Sequence, residues 1–211
     1  MEIIPLYFPD LTTEQFHRFQ YMQELYAFWN EKINVVSRKD LPNLEIHHIL
    51  HSLSVAKAFP FAPGTKIMDA GTGGGFPGIP LAVVFPEVTF TLVDSTGKKI
   101  KVVNEISKTL ELQNVRTIKA RVEDLSEKYD FITGRAVKDF SVFANWCMPK
   151  IGKDHKNSFK NGIIYLKGGD FDEEIKKYRD IQVIPVTKYF KEPFFETKRI
   201  VYLPVDSTVI G

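Results

Sequence analysis

Apolar residues recur along this chain in two rhythms. Near the N-terminus they come mostly at steps of three and four: Phe16, Phe19, Leu25, Phe28, Trp29 and Ile33. That spacing gives one apolar face on a helix. Thr12-x-x-Gln15 reads as a capping box opening it, and Asn34 and Ser37 as its end. A second helix is predicted from near Asn43 to Phe59, with Leu44, Ile49, Leu50, Leu53, Val55 and Ala56 as its apolar positions. Residues 1–11 read as an arm. Pro60, Pro63 and Gly64 then predict a hinge. Beyond it the rhythm shortens. Apolar runs of strand length lie at Lys66–Ala70, Val88–Asp94, Val115–Ala120, Tyr129–Ala136 and Ile163–Lys167. Helical stretches follow at Ile79–Phe85, Gly97–Leu112, Phe140–Met148 and Phe171–Tyr178. Ile151–Asn161 is polar and lysine-rich and predicts a mobile loop. Ile181–Phe190 and Arg199–Pro204 alternate weakly and predict a closing antiparallel pair. Strands alternating with helices predict an α/β fold with a doubly wound, mostly parallel sheet. Residues 1–63 are expected to be an arm and helical cap, and residues 64–211 one compact sheet domain.

Composition narrows the class. Hydrophobic residues make up 44% and charged residues 26%, ordinary values for a soluble globular protein. The net charge of +2 is compatible with a nucleic-acid partner without pointing to one. The single cysteine, Cys147, excludes an internal disulfide and a cysteine metal cluster, and fits a reducing compartment. The first residues lack a basic start and apolar core, so no signal peptide is expected, and no apolar run reaches the ~20 residues that span a bilayer. A cytoplasmic protein is expected. His47, His48 and His51 cluster on the second helix. Their i, i+4 pair has metal-binding geometry, but no glutamate completes an H-E-x-x-H pattern. They read as surface or packing histidines, and no metal is expected.

The candidate chemistry lies in Asp69-Ala70-Gly71-Thr72-Gly73-Gly74-Gly75-Phe76-Pro77-Gly78. It reads as the end of a buried strand, a glycine turn and the start of a helix, the arrangement that forms nucleotide-type sites in open α/β sheets. Glycines let the backbone turn sharply and approach a ligand closely. Two cofactors compete. Gly73 to Gly78 fits the dinucleotide pattern G-x-G-x-x-G, which is weak alone. Asp69-x-Gly71-x-Gly73-x-Gly75 looks like the first motif of S-adenosylmethionine-dependent methyltransferases. A pyrophosphate wants bare N–H groups without a carboxylate beside them, so Asp69 tilts the choice to the methyl donor. Asp94, 25 positions on at the end of the second strand, suits ribose hydroxyls, but NAD uses an acid there too. Lys98, Lys99 and Lys101 read as a solvated face.

Several stretches together resemble one family. The run from Asp69 to Leu81 is similar to its glycine loop, including the Phe76-Pro77-Gly78-Ile79-Pro80-Leu81 tail. Leu92-Val93-Asp94-Ser95-x-x-Lys98-Lys99 resembles its second-strand motif. Arg121-Val122-Glu123, Gly134-Arg135-Ala136 and Leu166-Lys167-Gly168 match the ends of its third, fourth and fifth strands. Trp29-Asn30 with Ile33-Asn34, and His48-Ile49-Leu50-x-Ser52-Leu53, resemble its N-terminal helices. The family is ribosomal small-subunit methyltransferase G, also called glucose-inhibited division protein B. The resemblance implies a class I, Rossmann-like methyltransferase fold. It implies methyl transfer from S-adenosylmethionine to N7 of guanine 527, in the 530 loop of 16S rRNA. It carries the cofactor contacts onto Gly71, Phe76, Val122, Glu123 and Arg135. The residues themselves add Asp69, expected to order the loop and face the amino-acid end of the cofactor. Gly73 and Gly75 allow close approach, and Asp94 takes the ribose. Phe76 is expected to pack on the cofactor, Val122 and Glu123 to flank its adenine, and Arg135 to sit at the reaction end. Lys167, Arg121 and Lys138 are weaker RNA-binding candidates. The expected partner is 16S rRNA or the small subunit, met by a monomer away from any membrane. Thr96 and a long Lys153–Lys160 segment depart from many members.

The chemistry agrees by omission. Guanine N7 carries a lone pair with no proton to lose, so orientation matters more than a general base. Amino-group methyltransferases often carry an Asn/Asp-Pro-Pro-aromatic motif where this chain has Thr133-Gly134-Arg135-Ala136. Cys147 follows Trp146, not proline, and reads as a small buried apolar residue. A class I methyltransferase acting on a different RNA base or a small molecule stays open. So do a dinucleotide oxidoreductase and a non-catalytic RNA-binding module.

Overall fold

Which helix covers which side of the sheet follows from the parity of residues along each strand. The computed structural model describes residues 3–206. Residues 1–2 of the expected arm and residues 207–211 of the expected sheet domain lie outside the described residues. The strands are β1 Lys66–Ala70, β2 Thr89–Asp94, β3 Val115–Lys119, β4 Phe131–Arg135, β5 Gly162–Gly168, β6 Gln182–Pro185 and β7 Lys198–Pro204. They form one sheet in the order β3-β2-β1-β4-β5-β7-β6. The pairs β1–β2, β1–β4, β2–β3 and β4–β5 are parallel. β7 alone is reversed, antiparallel to both β5 and β6. This is the doubly wound sheet with an antiparallel closing strand that the sequence predicts.

The helices are α1 Ile4–Tyr7, α2 Thr13–Lys32, α3 His51–Ala58, α4 Gly78–Val84, α5 Gly97–Thr109, α6 Phe140–Cys147 and α7 Asp172–Ile175. Side chains alternate across a strand. Phe131, Ile164 and Leu166 join the apolar cluster formed with α2 to α5, whereas Ile132, Ile163 and Tyr165 join that of α6 and α7. The same period puts Asp69, Thr133 and Arg135 on the α2–α5 side and Lys167 on the α6–α7 side.

The N-terminal helices press on the glycine loop. Both halves of the Thr12–Gln15 capping box are made. The buried stripe of α2 is Phe19, Met22, Leu25, Tyr26 and Asn30, and Phe28, expected on the apolar face, is 50% exposed. The true stripe runs through Met22, Tyr26 and Asn30 at four-residue steps, which leaves Phe28 beside it. The predicted second helix divides into a tight turn at Leu41–Asn43, a wide π-type stretch at Leu44–Leu50, and α3. The expected arm contains α1, whose first amides, Ile3 N and Ile4 N, donate to the Glu45 carboxylate.

Three other expectations are corrected. The predicted helix at Phe171–Tyr178 is only the single turn of α7. Within Ile181–Phe190 the strand stops at Pro185, which has no N–H for the ladder, and a tight turn follows. The lysine-rich segment, though mostly exposed, is pinned at three residues. Phe159 lies against Phe59, Phe61 and Phe131, and Asn157 Oδ1 accepts from Ala62 N at 2.7 Å. Lys156 Nζ donates to Gly64 O at 2.9 Å, so segment and hinge hold each other. Both sit at the amino ends of β1 and β4.

Candidate cofactor cleft

The strand order reverses between β1 and β4, and ligands of open α/β sheets bind outside the carboxyl ends of the strands at such a point. Asp69, the next-to-last residue of β1, is 0% exposed. Its Oδ2 accepts from the Thr72 hydroxyl at 2.6 Å and from Gly78 N, the start of α4, at 2.9 Å. Its Oδ1 accepts from the Thr133 hydroxyl at 3.3 Å. Burial pushes the Asp69 pKa up to about 6, against the pull of these hydrogen bonds and of Arg135. Asp69 is occupied in shaping the turn.

The glycines keep that loop tight. Gly71, Gly73 and Gly75 have φ of 69°, 58° and 94°, the left-handed region that side chains avoid. A Cβ on Gly71 would stand 2.8 Å from Val137 Cγ2, and one on Gly75 2.5 Å from Ile79 Cδ1. Gly73 is open, with nothing nearer than 3.9 Å. Tyr26 Oη donates to Gly74 O at 2.6 Å, fastening the loop to α2. On the other side, Asp94 Oδ2 accepts from Gly73 N at 3.0 Å and Asp94 Oδ1 from Thr96 N at 2.8 Å.

These ends enclose a cleft of about 390 Å³ lined by Gly71, Asp94, Val122, Glu123, Val137 and Trp146. Arg121, Lys138 and Lys99 are at its mouth. Four of the predicted cofactor residues therefore converge: Gly71, Asp94, Val122 and Glu123. Trp146 was not foreseen. The buried stripe of α6 is Phe140, Phe143, Ala144 and Cys147, and a large aromatic just off that stripe is the signal that marks it. Cys147 itself is buried, and burial pushes its thiol pKa up, away from reactivity.

Phe76 and Arg135 lie elsewhere. The Phe76 ring does not line the cleft. It stacks on Tyr26 at 4.8 Å and meets His48 at 5.2 Å. The Arg135 guanidinium lies 5.2 Å over that ring. Its Nη1 donates to His47 O at 3.1 Å and its Nη2 to His48 Nδ1 at 2.9 Å. Burial lowers the Arg135 pKa to about 10, with Asp69 opposing, so it stays charged. Among the described residues it has no carboxylate ion-pair partner. His47 and His48 both reach Asp40, at 2.5 and 2.7 Å. The histidine cluster therefore braces Arg135, and no group of three metal-ligating side chains is found among the described residues. His51 is buried against Phe194 and Phe195, with Nε2 unpartnered.

Of the RNA candidates, Arg121 and Lys138 are exposed beside the cleft. Lys167 is paired with Glu174 at 2.5 Å and only 15% exposed. The lysines of the 153–160 segment belong to the opposite sheet edge: Lys156 reaches Gly64 O and Asp130, and Lys160 reaches Asp206.

Comparison with known proteins follows this geometry. A model of the family described as GidB, rRNA small subunit methyltransferase G, matches residues 14–199. The ribosomal RNA small subunit methyltransferase G of Christiangramia forsetii is 53% identical over 205 residues, covering 97% of each chain. That of Porphyromonas gingivalis is 49% identical over 206 residues, covering 97% of this chain and 93% of its own. Among solved structures, a SAM-dependent O-methyltransferase from Thermotoga maritima aligns with a TM-score of 0.58 at 14% identity, covering 82% of this chain and 70% of that one. MtNAS in complex with S-adenosylmethionine aligns with a TM-score of 0.58 at 12% identity, covering 90% and 76%. The fold is that of class I methyltransferases.

Proposed function

The chain belongs to the rRNA small subunit methyltransferase G family, and on that premise we propose that it transfers methyl from S-adenosylmethionine to N7 of a guanine in 16S rRNA, guanine 527 of the 530 loop. The observation that carries the reading is the family match across residues 14–199.

The cleft fits the donor. Gly71 and Gly73 present bare backbone, and a side chain at Gly71 would collide with Val137. Each Asp94 oxygen accepts one backbone N–H and retains a lone pair for a ribose hydroxyl. Val122 and Trp146 supply apolar walls for an adenine, and Glu123 a carboxylate beside them. A dinucleotide fits less well, since Gly73 N, an amide that a pyrophosphate would take, already donates to Asp94.

S-adenosylmethionine supplies a methyl group on a positively charged sulfur. Guanine N7 attacks that carbon with its lone pair. The N–C bond forms as the C–S bond breaks, and the electron pair stays on sulfur. No proton moves in this step, so the chain's task is to orient two partners and exclude water. Asp69, Asp94 and Tyr26 do so by fixing the glycine loop from three sides. Arg135 holds the Phe76 face of that loop from behind. The N-terminal helices serve the same site, through Tyr26 and Val35 against Gly74.

The test is transfer from labelled S-adenosylmethionine to small subunits that lack the modification, with the labelled base mapped. Label at N7 of the 530-loop guanine, lost in Gly73→Asp, is expected. Tight donor binding with no transfer to that guanine would overturn the substrate and favour another acceptor.

A further inference from the structure

Beside the cofactor cleft, at the carboxyl ends of β4 and β5, lies a second cavity of about 410 Å³. Ala136, Val137 and Lys138 line both hollows, which adjoin along this rim. One hydroxyl fixes that rim. Tyr165 Oη accepts from Val137 N at 2.8 Å and Lys138 N at 3.3 Å, and donates to Lys138 O at 2.9 Å. Ala136 is held at a φ of 52°, a conformation that non-glycine residues adopt at a cost.

The second cavity is also lined by Tyr165, Lys167 and Glu174. Lys167 Nζ stands 2.8 and 2.5 Å from the two Glu174 oxygens, with side chains only 15% and 21% exposed. Taking such a pair largely out of water costs desolvation, so it is weak evidence for stability alone. Its pattern is a donor beside an acceptor. Guanine carries the complement on one edge, where O6 accepts and N1–H donates. Adenine carries the reverse, an amino donor beside an N1 acceptor. With O6 and N1–H engaged, guanine N7 keeps its lone pair free.

We propose that this second cavity receives the acceptor guanine, drawn out of its RNA strand, and that the Lys167–Glu174 pair reads O6 and N1–H. Enzymes that act on a base take it out of the stack into such a pocket. The proposal rests on the methyltransferase reading and adds where the acceptor sits and what selects it. Lys167 donates to O6, Glu174 accepts from N1–H, and N7 meets the donor methyl directly at the Tyr165-fastened rim where the two cavities adjoin.

The test uses the full chain, as wild type, Glu174→Gln and Lys167→Met, on small subunits that lack the modification. Transfer and S-adenosylhomocysteine affinity are measured together. Each variant is expected to lose roughly ten- to hundredfold in kcat/KM for the subunit, with the S-adenosylhomocysteine Kd unchanged within about twofold. Glu174 also accepts from Phe140 N at 2.6 Å, so its loss could disturb α6. A second readout separates the two effects. On subunits rebuilt with adenine at the target, wild type is expected to discriminate strongly. Glu174→Gln, whose amide can donate to adenine N1, is expected to narrow the guanine preference by about tenfold. Variants with wild-type kcat/KM and unchanged base preference would overturn the proposal, as would loss of S-adenosylhomocysteine affinity in step with transfer. Wild type that leaves the guanine unmodified would overturn the functional reading beneath it.

Discussion

Nη2 of Arg135 lies 2.9 Å from Nδ1 of His48, and the contact fixes how that imidazole carries its proton. Burial, and then the charge of Arg135, hold the His48 pKa down to about 4, so the ring is neutral near pH 7. Its Nδ1 accepts from Arg135, and its Nε2 donates to Asp40 Oδ2 at 2.7 Å. Asp40, His48 and Arg135 therefore form a brace between the N-terminal helices and the end of β4.

His48→Ala should release one arm of the Arg135 fork. The expected result is about a tenfold loss in kcat for methyl transfer, with stability reduced by about 1–2 kcal/mol for the hydrogen bonds lost. Arg135→Lys keeps the charge but not the planar fork, and should cost more. Steady-state transfer assays paired with thermal melting check both, and a His48→Ala enzyme with wild-type kcat would exclude the brace from function.

Gly71 and Gly64 offer a matched comparison. Both have positive φ, 69° and 75°, but a Cβ at Gly71 meets Val137 Cγ2 at 2.8 Å while one at Gly64 meets nothing within 4 Å. Each alanine substitution should cost about 1–2 kcal/mol of backbone strain. Only Gly71→Ala should also weaken S-adenosylhomocysteine binding, by tenfold or more on the order of 1.4 kcal/mol. Calorimetric titration of the two variants separates strain from site geometry.

Asn30 holds the turn that backs the glycine loop. Its Nδ2 donates to Val36 O, and its Oδ1 accepts from Val35 N and Val36 N, at 2.8, 2.8 and 3.0 Å. The Val35 carbonyl then lies where a Cβ on Gly74 would be 2.9 Å away. Asn30→Ala leaves these buried groups without partners and should destabilise by about 2–4 kcal/mol. Urea denaturation measures this, and a loss below about 0.5 kcal/mol would show that the turn is held by other contacts.

His48, His51 and Asp69 make stability depend on pH in the acid range. His48 is held down to about 4 and His51 well below its ordinary 6.5, both chiefly by burial. Unfolded histidines take protons near pH 6.5 and folded ones resist, so this stability is present above 6.5 and lost as pH falls toward 4. Asp69 runs the other way. Burial raises its pKa to about 6, so its contribution is present below 3.8 and lost as pH rises through 6. Two histidines outweigh one aspartate, and stability should fall on acidification from pH 6.5 to 4. Each uncompensated proton contributes a slope of about 1.4 kcal/mol per pH unit. Asp69→Asn removes the opposing group and should steepen the fall. Denaturation across that range reads the slope directly, and a flat or inverted profile in Asp69→Asn would contradict the assignment.

Much of the site was legible because its signals are local. The left-handed glycines, the acid at the end of β2 and the segment after β3 meet at one sheet edge, as any doubly wound sheet requires. The placement of Phe76 and Trp146 was not legible in the same way. Phe76 stands between a loop and a helix and has no parity to read. Trp146 is marked only against the buried stripe of its helix, which the structure first defines.

The sequence by itself determined the alternation of strands and helices, the capping box at Thr12, and the turn from Asp69 to Gly78. Each follows from periods and backbone freedoms that act over a few residues. The tertiary structure alone decided that Arg135 turns to His47 and His48, 88 and 87 positions away, and that Lys167 meets Glu174. Along β4, Thr133 and Arg135 share one side of a strand buried over Phe131–Gly134, but that parity does not tell which helices the side faces. Only its register beside β1 and β5, and the helices packed on each face, set which side of the sheet Arg135 and Lys167 would serve.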